Sequence, residues 1–150
     1  MSRLYFLKQL RRADVLTTDL LHFYTTAVRP VLEYACPVWH SGLTVAQSNL
    51  LESVQKRAIR IVYPDADYQT SLIVAGIDTL RERRELLTAK FFKRQVLVSS
   101  SLLHSLLPDR RDNDITSSLR NAKPFYSFRT RTDSANHFYR TVSITIHKPQ

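Results

Sequence analysis

The sequence has little glycine, a single cysteine and no long apolar run, and each shortage excludes a class of protein. Only Gly42 and Gly76 occur among the 150 residues, which argues against glycine-rich phosphate-binding loops and tight β-hairpins, because both use conformations that glycine adopts most easily. Cys36 has no second cysteine to pair with, so a disulfide-built secreted scaffold is excluded.

No apolar run approaches the roughly 18–20 residues of a membrane span. The opening MSRLYFLKQLRRAD is interrupted by charge, unlike a signal peptide. We therefore expect an intracellular protein, cytoplasmic or nuclear, with no membrane partner.

Acidic residues are scarce relative to basic ones. The chain has 22 Lys+Arg against 13 Asp+Glu, which gives a formal net charge of +9. This excess favours a polyanionic partner, most simply nucleic acid, because each phosphate contact releases condensed counterions. The alternative is a soluble protein that is merely basic, since charge alone does not identify a partner.

Helical periodicity and capping residues predict several helices. Thr44 begins the clearest one, TVAQSNLLESVQKRAIRIVYP, which Pro64 ends. Residues 68–75 form a short helix that Gly76 can close in a left-handed cap. Thr79 then caps a long charged helix that reaches about residue 98. The residues of this helix that we expect to face inward are Leu80, Leu87, Phe91 and Val98.

The first part of the chain predicts helices separated by a proline. Leu4, Leu7 and Leu10 have helical spacing. Thr17 or Thr18 can cap the next helix. Pro30 lacks a backbone donor and disfavours helical geometry in the residue before it, so we expect a kink or a break there.

These patterns predict a mainly α protein with two parts. Residues 1–108 form a helical array of about five to seven short and medium helices. Residues 109–150 form a basic, aromatic-rich and largely irregular tail, in which only TVSITI (residues 141–146) has the alternation of a strand.

Two short patterns offer catalytic or metal-binding groups, and each also has a plainer structural interpretation. Cys36 and His40 share a helix face and could act as a thiol–imidazole pair or as two metal ligands. A structural zinc site needs four ligands, and no second Cys/His pair follows, which favours simple packing. Asp65 and Asp67 offer two carboxylates for metal-dependent phosphoryl chemistry, although the same residues favour a turn and a helix cap. We predict neither a cofactor nor a metal site.

Basic residues cluster on two predicted helices and in the tail, where arginines alternate with aromatic residues. Guanidinium groups bind phosphates and aromatic rings stack on bases, so this mixture suits a nucleic-acid strand. The alternatives are solvated helix faces with salt bridges to residues such as Glu52, and a tail that merely packs on the helices. The predicted nucleic-acid-binding residues are Lys56, Arg57, Arg60, Arg83, Arg84, Lys90, Lys93, Arg94, Arg120, Arg129 and Arg131.

Long segments of the chain, taken in order, resemble one family. RLYFLKQLRRADV, LLHFYTTAVRPVLEYACPVWHSGLT, QSNLLESVQKRAIRIVYP and LRERRELLTAKFFKR are similar to the C-terminal part of non-LTR (LINE-type) retrotransposon reverse transcriptases, which follows the polymerase palm. The resemblance covers most of the chain, from the first helix to about residue 140. Its most specific segments are FYTTAVRPVLEYACPVWH and LESVQKRAIRIVYP.

The resemblance implies a helical thumb and connection that grip a template–primer duplex by its backbone. The implied partners are an RNA–DNA hybrid or RNA, together with the missing palm domain. The Tyr–x–Asp–Asp turn of the palm does not occur in the sequence, so the resemblance implies a fragment that is not an enzyme by itself. The alternatives are a protein-interaction module whose basic faces contact an acidic protein, or a relic without a retained role.

A shorter resemblance involves only the first part of the chain. RLYFLKQLRR and LLHFY look like an N-terminal segment of AlkB-type tRNA-modifying dioxygenases. Such an oxygenase needs a His–x–Asp or His–x–Glu pair and a distant histidine, and the sequence contains neither pair. This resemblance therefore implies no dioxygenase chemistry.

Overall fold

The computed structural model describes residues 3–107, and this part of the chain is mainly α-helical, without a strand. The helices are α1 (Arg3–Arg12), α2 (Thr17–Phe23), α3 (Arg29–Glu33), α4 (Cys36–Trp39), α5 (Val45–Val62), α6 (Tyr68–Ala75) and α7 (Leu80–Phe91). Two π-helical segments, Tyr24–Val28 and Phe92–Val96, and two 3₁₀ segments, His40–Gly42 and Leu102–Leu106, complete the helical elements. The mainly α prediction is confirmed for these residues. None of the described helices has both the length and the apolar character needed to cross a lipid bilayer.

The predicted tail lies outside the described residues. It includes the expected strand at residues 141–146 and the predicted binding residues Arg120, Arg129 and Arg131. The domain boundary near residue 108 stays a prediction.

Contacts divide the described chain into two compact units. The first contains residues 3–36 and 43–84, and the second contains residues 37–42 and 85–107. In the first unit, α1 packs on α2 and α5, and α5 also packs on α6. In the second unit, the π-helical residues 92–96 pack against the 3₁₀ segment Leu102–Leu106.

The core of the first unit is apolar and draws on α1, α2, the first π-helical segment, α5 and α6. Each large apolar side chain that is removed from water contributes about 1.5–3 kcal/mol, so this cluster holds the four helices together. The buried members of the cluster are Leu7, Leu20, Tyr24, Val28, Ala58, Ile59, Val62 and Leu72.

The boundaries of α5 and α6 follow from their capping residues, as predicted. The Thr44 hydroxyl accepts from the Gln47 amide, and the Gln47 side chain accepts from the Thr44 amide, which forms a capping box. Asp67 Oδ2 accepts from the amides of Gln69 (3.0 Å) and Thr70 (3.2 Å) at the start of α6. Gly76 ends α6 with a φ of 62°, the left-handed conformation that glycine adopts without steric cost.

The helical backbone continues past Pro30, so the chain does not break there, and the alternative of a kink stays a prediction. The π-helical segment Tyr24–Val28 leads directly into α3, and both Val28 and Arg29 have right-handed helical dihedral angles. Pro30 lies in the first turn of α3, directly after the π-helical segment.

The inward face of α7 also differs from the prediction. Leu80 is buried as expected, but Phe91 is 40% exposed and Val98 is 42% exposed. Leu87 is half-buried. The other buried positions of α7 are Arg84 and Thr88, which follow Leu80 at four-residue spacing and therefore lie on the same face of the helix.

Candidate nucleic-acid interface

A basic groove lies between α1 and α5 in the first unit. Its volume is about 450 Å³, and it is lined by Leu4, Tyr5, Lys8, Arg57, Arg60 and Ile61. Three of these residues are cations and none is acidic, so the groove is electrostatically suited to an anion. We call Lys8, Arg57 and Arg60 the groove cations, and the space between the two helices the α1–α5 groove.

The groove cations are exposed and available to a ligand. All three side chains are exposed to solvent, and none forms a salt bridge within residues 3–107. The sequence pattern placed Glu52 on a salt-bridged face with Lys56 and Arg60. The Glu52 carboxylate instead accepts hydrogen bonds from the Tyr68 hydroxyl and, at 3.4 Å, from the Leu80 amide.

Lys56 lies one turn before Arg60 on α5 and has a different environment. Its ammonium group lies over the Tyr68 ring, 5.3 Å from the ring centroid, which is a cation–π contact. A smaller pocket of about 280 Å³ between α5 and α6 is lined by Lys56, Arg60, Asp67 and Tyr68, among others. Arg60 therefore lines both depressions, and α5 forms a basic ridge between them.

A buried polar network holds α5 to α6 and to the first π-helical segment beneath this ridge. The Tyr24 hydroxyl donates to Gln55 Oε1 at 2.5 Å. Gln55 Nε2 donates to the Tyr68 hydroxyl and to the Asp78 carbonyl, both at 3.0 Å, and the Tyr68 hydroxyl donates to Glu52. We call these five residues the Gln55 network.

Burial raises the pKa of the Tyr24 and Tyr68 hydroxyls well above the ordinary value, and for Tyr68 the hydrogen bond to Glu52 adds to the effect. Both hydroxyls therefore stay protonated and keep donating at physiological pH. The network fixes the orientation of α5, which carries the groove cations Arg57 and Arg60.

Arg84, a predicted nucleic-acid-binding residue, differs from the groove cations in its burial, and its role in binding stays a prediction. Its side chain is completely buried, and its Nη2 donates to the Ser48 hydroxyl at 2.7 Å. The reason is the face of α7 that it occupies, one turn after the buried Leu80. Arg84 packs within the first unit and is not exposed to solvent.

Arg83 is half-buried and lies in an ion pair. Its Nε is 3.3 Å from Glu33 Oε1. The same carboxylate oxygen accepts from Arg29 Nε at 2.7 Å, so Glu33 holds two arginines at once. Both guanidinium groups are thus partly neutralised within the first unit, which makes Arg83 a weaker candidate than the groove cations.

The second unit has its own exposed cations. Lys90 lies at the end of α7, and Lys93 and Arg94 lie in the π-helical segment Phe92–Val96. All three are exposed. We call them the second-unit cations; they remain candidates for phosphate contact.

The patterns that suggested catalysis or metal binding have structural explanations. Cys36 is buried, and burial raises the pKa of its thiol, with a further contribution from Glu33, so the reactive thiolate is disfavoured. Asp67 caps α6, and its hydrogen bonds with the Thr70 side chain and with the backbone amides lower the pKa of its carboxyl group. Residues 3–107 contain no group of three or more His, Cys, Asp or Glu residues placed to hold a metal ion.

Sequence reasoning missed Lys8 and Tyr5 as members of the site. Both lie on α1, and only the packing of α1 on α5 brings them beside Arg57 and Arg60. The available signal was the spacing of Tyr5 and Lys8, which places them on one helix face. That spacing alone does not predict that α5 is the helix that packs beside this face of α1.

Comparisons with protein-family models, with curated proteins and with solved structures found no match. The resemblance to reverse transcriptases therefore stays a prediction.

Proposed function

We propose that this chain binds nucleic acid by its sugar–phosphate backbone, with the α1–α5 groove as the principal contact. The observation that carries the proposal is the convergence of the three groove cations on one groove without an acidic lining residue. Lysine and arginine that neutralise phosphates release counterions, and this term supplies most of the affinity of sequence-independent binding.

The ligand class that we propose is an RNA–DNA hybrid or RNA. The excess of basic residues supports a polyanionic ligand. The resemblance of the α5 segment to the region after a polymerase palm favours a helical duplex that contains RNA. We assign the chain a binding role and no catalytic step of its own.

A salt titration of the full chain tests this proposal. Fluorescence anisotropy of a labelled RNA–DNA hybrid gives the binding constant at each salt concentration. We expect log K to fall linearly with log salt, with a slope of about −0.7 to −0.9 for each phosphate neutralised. No binding at low salt, or an affinity independent of salt, would contradict a backbone-binding function.

Charge-matched variants locate the contact. Replacing the three groove cations with alanine should reduce the magnitude of the slope by about 2–3, since three phosphate contacts are lost. Replacing the three second-unit cations with alanine removes the same charge and should change the slope by about 1 or less. Equal changes in both variants would show that net charge governs binding and would overturn the assignment of the groove.

A further inference from the structure

The α1–α5 groove contains more than cations. Leu4 and Ile61 are half-buried and give it an apolar floor, and Tyr5 gives it an aromatic wall. Contacts with duplex phosphates need only positive charge. These three apolar and aromatic side chains therefore indicate that the ligand also has an uncharged group that lies in the groove. An aromatic ring next to cations is the combination that binds unpaired nucleotides, by stacking on the base and neutralising the phosphate.

The Tyr5 ring is available and its orientation is supported. Tyr5 is 49% exposed and its neighbour Phe6 is 47% exposed. The two rings meet edge to face, with centroids 6.0 Å apart and an interplanar angle of 74°, a favoured arrangement for aromatic pairs. Phe6 thus supports the Tyr5 ring while half of the Tyr5 surface remains open to a ligand.

The size of the groove agrees with a nucleotide as the occupant. About 450 Å³ lies within the range of roughly 300–1,000 Å³ that small-ligand sites occupy. Bases inside a duplex are stacked on one another and present only their edges, so their faces cannot reach the Tyr5 ring. An unpaired base exposes its faces and can lie against it.

We propose that the α1–α5 groove takes an unpaired nucleotide, with its base stacked on Tyr5 and its flanking phosphates on the groove cations. The proposal rests on the proposed function and specifies its ligand. The chain should then prefer a duplex that ends in a single-stranded extension over a blunt duplex.

Two labelled probes test this inference. One is a blunt RNA–DNA hybrid, and the other is the same hybrid with a single-stranded extension of about four nucleotides, the lower end of known single-strand site sizes. We expect the full chain to bind the extended probe about tenfold more tightly, because one stacked base accounts for a factor of that order. A fluorescent purine analogue in the extension should be quenched on binding.

Variants of Tyr5 provide the control. Tyr5→Leu keeps an apolar helix-forming residue but removes the ring, so it should abolish the preference for the extended probe and the quenching. Tyr5→Phe should keep both, because the ring face is retained. Far-UV circular dichroism of both variants verifies the fold.

The outcomes separate this inference from the function on which it rests. Equal affinity of the wild-type chain for the two probes, or a preference that persists in Tyr5→Leu, overturns the unpaired-nucleotide site while leaving backbone binding intact. Failure of both probes to bind at low salt overturns the proposed function itself.

Discussion

Replacement of Gln55 by leucine should destabilise the first unit through the loss of hydrogen bonds and with little change in volume. Gln55 is completely buried. Its side-chain amide accepts from Tyr24 and donates to Tyr68 and to the Asp78 carbonyl. Leucine fills similar space but makes none of these bonds.

The expected magnitude follows from the partners that remain. The buried Tyr24 hydroxyl loses its acceptor and the Asp78 carbonyl loses this donor, whereas Tyr68 keeps its bond to Glu52. Each unsatisfied buried group costs about 1–3 kcal/mol, and the apolar leucine offsets part of this cost. We expect the free energy of unfolding to fall by about 2–4 kcal/mol, a large part of the roughly 5–15 kcal/mol typical of a domain.

Urea unfolding followed by far-UV circular dichroism measures this loss. Gln69→Leu makes the same substitution at an exposed position of α6 and should change stability by no more than about 0.5 kcal/mol. In a Tyr24→Phe background, Gln55→Leu should cost less than in the wild type by about 0.5–3 kcal/mol, because the shared hydrogen bond is already absent. A Gln55→Leu variant as stable as Gln69→Leu, or strict additivity with Tyr24→Phe, would refute the network as a source of stability.

Three further predictions concern caps and the cysteine. Thr44→Ala should lower the free energy of unfolding in urea by about 1 kcal/mol through loss of the capping box, and Thr44→Ser should retain it; equal losses would contradict the cap. The pKa of Asp67 is lower in the folded chain than in the unfolded chain, where it is about 4. The Asp67 carboxylate therefore stabilises the folded state above this unfolded value, and the stabilisation is lost as the pH falls through the lower folded pKa. Acid-unfolding curves of wild type and Asp67→Asn should therefore converge at low pH and separate above it, and parallel curves would refute this. Cys36 should react with a thiol reagent far more slowly in buffer than in urea, because it is buried with a raised pKa; equal rates would show that the thiol is accessible.

The helix boundaries in the middle of the chain could be predicted because local chemistry determines them. Thr44, Asp67 and Gly76 act within one turn of their own positions, so the sequence contains the necessary information. The cap expected at Thr17 or Thr18 is wrong: α2 begins at Thr17, Leu16 occupies the N-cap position, and no side chain caps it. A favourable cap residue predicts a boundary only where tertiary packing does not extend the helix beyond it.

The site was harder to predict because it depends on packing between helices. Hydrophobic periodicity assigns arginine to the exposed face of a helix, because arginine is seldom buried. The pattern therefore did not predict that Arg84 occupies the buried face of α7. The π-helical segments leave no periodic pattern by which to recognise them. Lys8 lies beside Arg57 and Arg60 only because α1 packs on α5. These two helices are far apart in the sequence, so no local pattern predicts their contact.

The most direct test of the central claim is an amide chemical-shift map of the isotope-labelled chain titrated with an RNA–DNA hybrid at low salt. We predict that the largest changes fall on α1 and α5 around the groove cations, and that added salt reverses them. Changes concentrated on the second-unit cations, or no changes at low salt, would contradict the claim that the α1–α5 groove is the nucleic-acid interface.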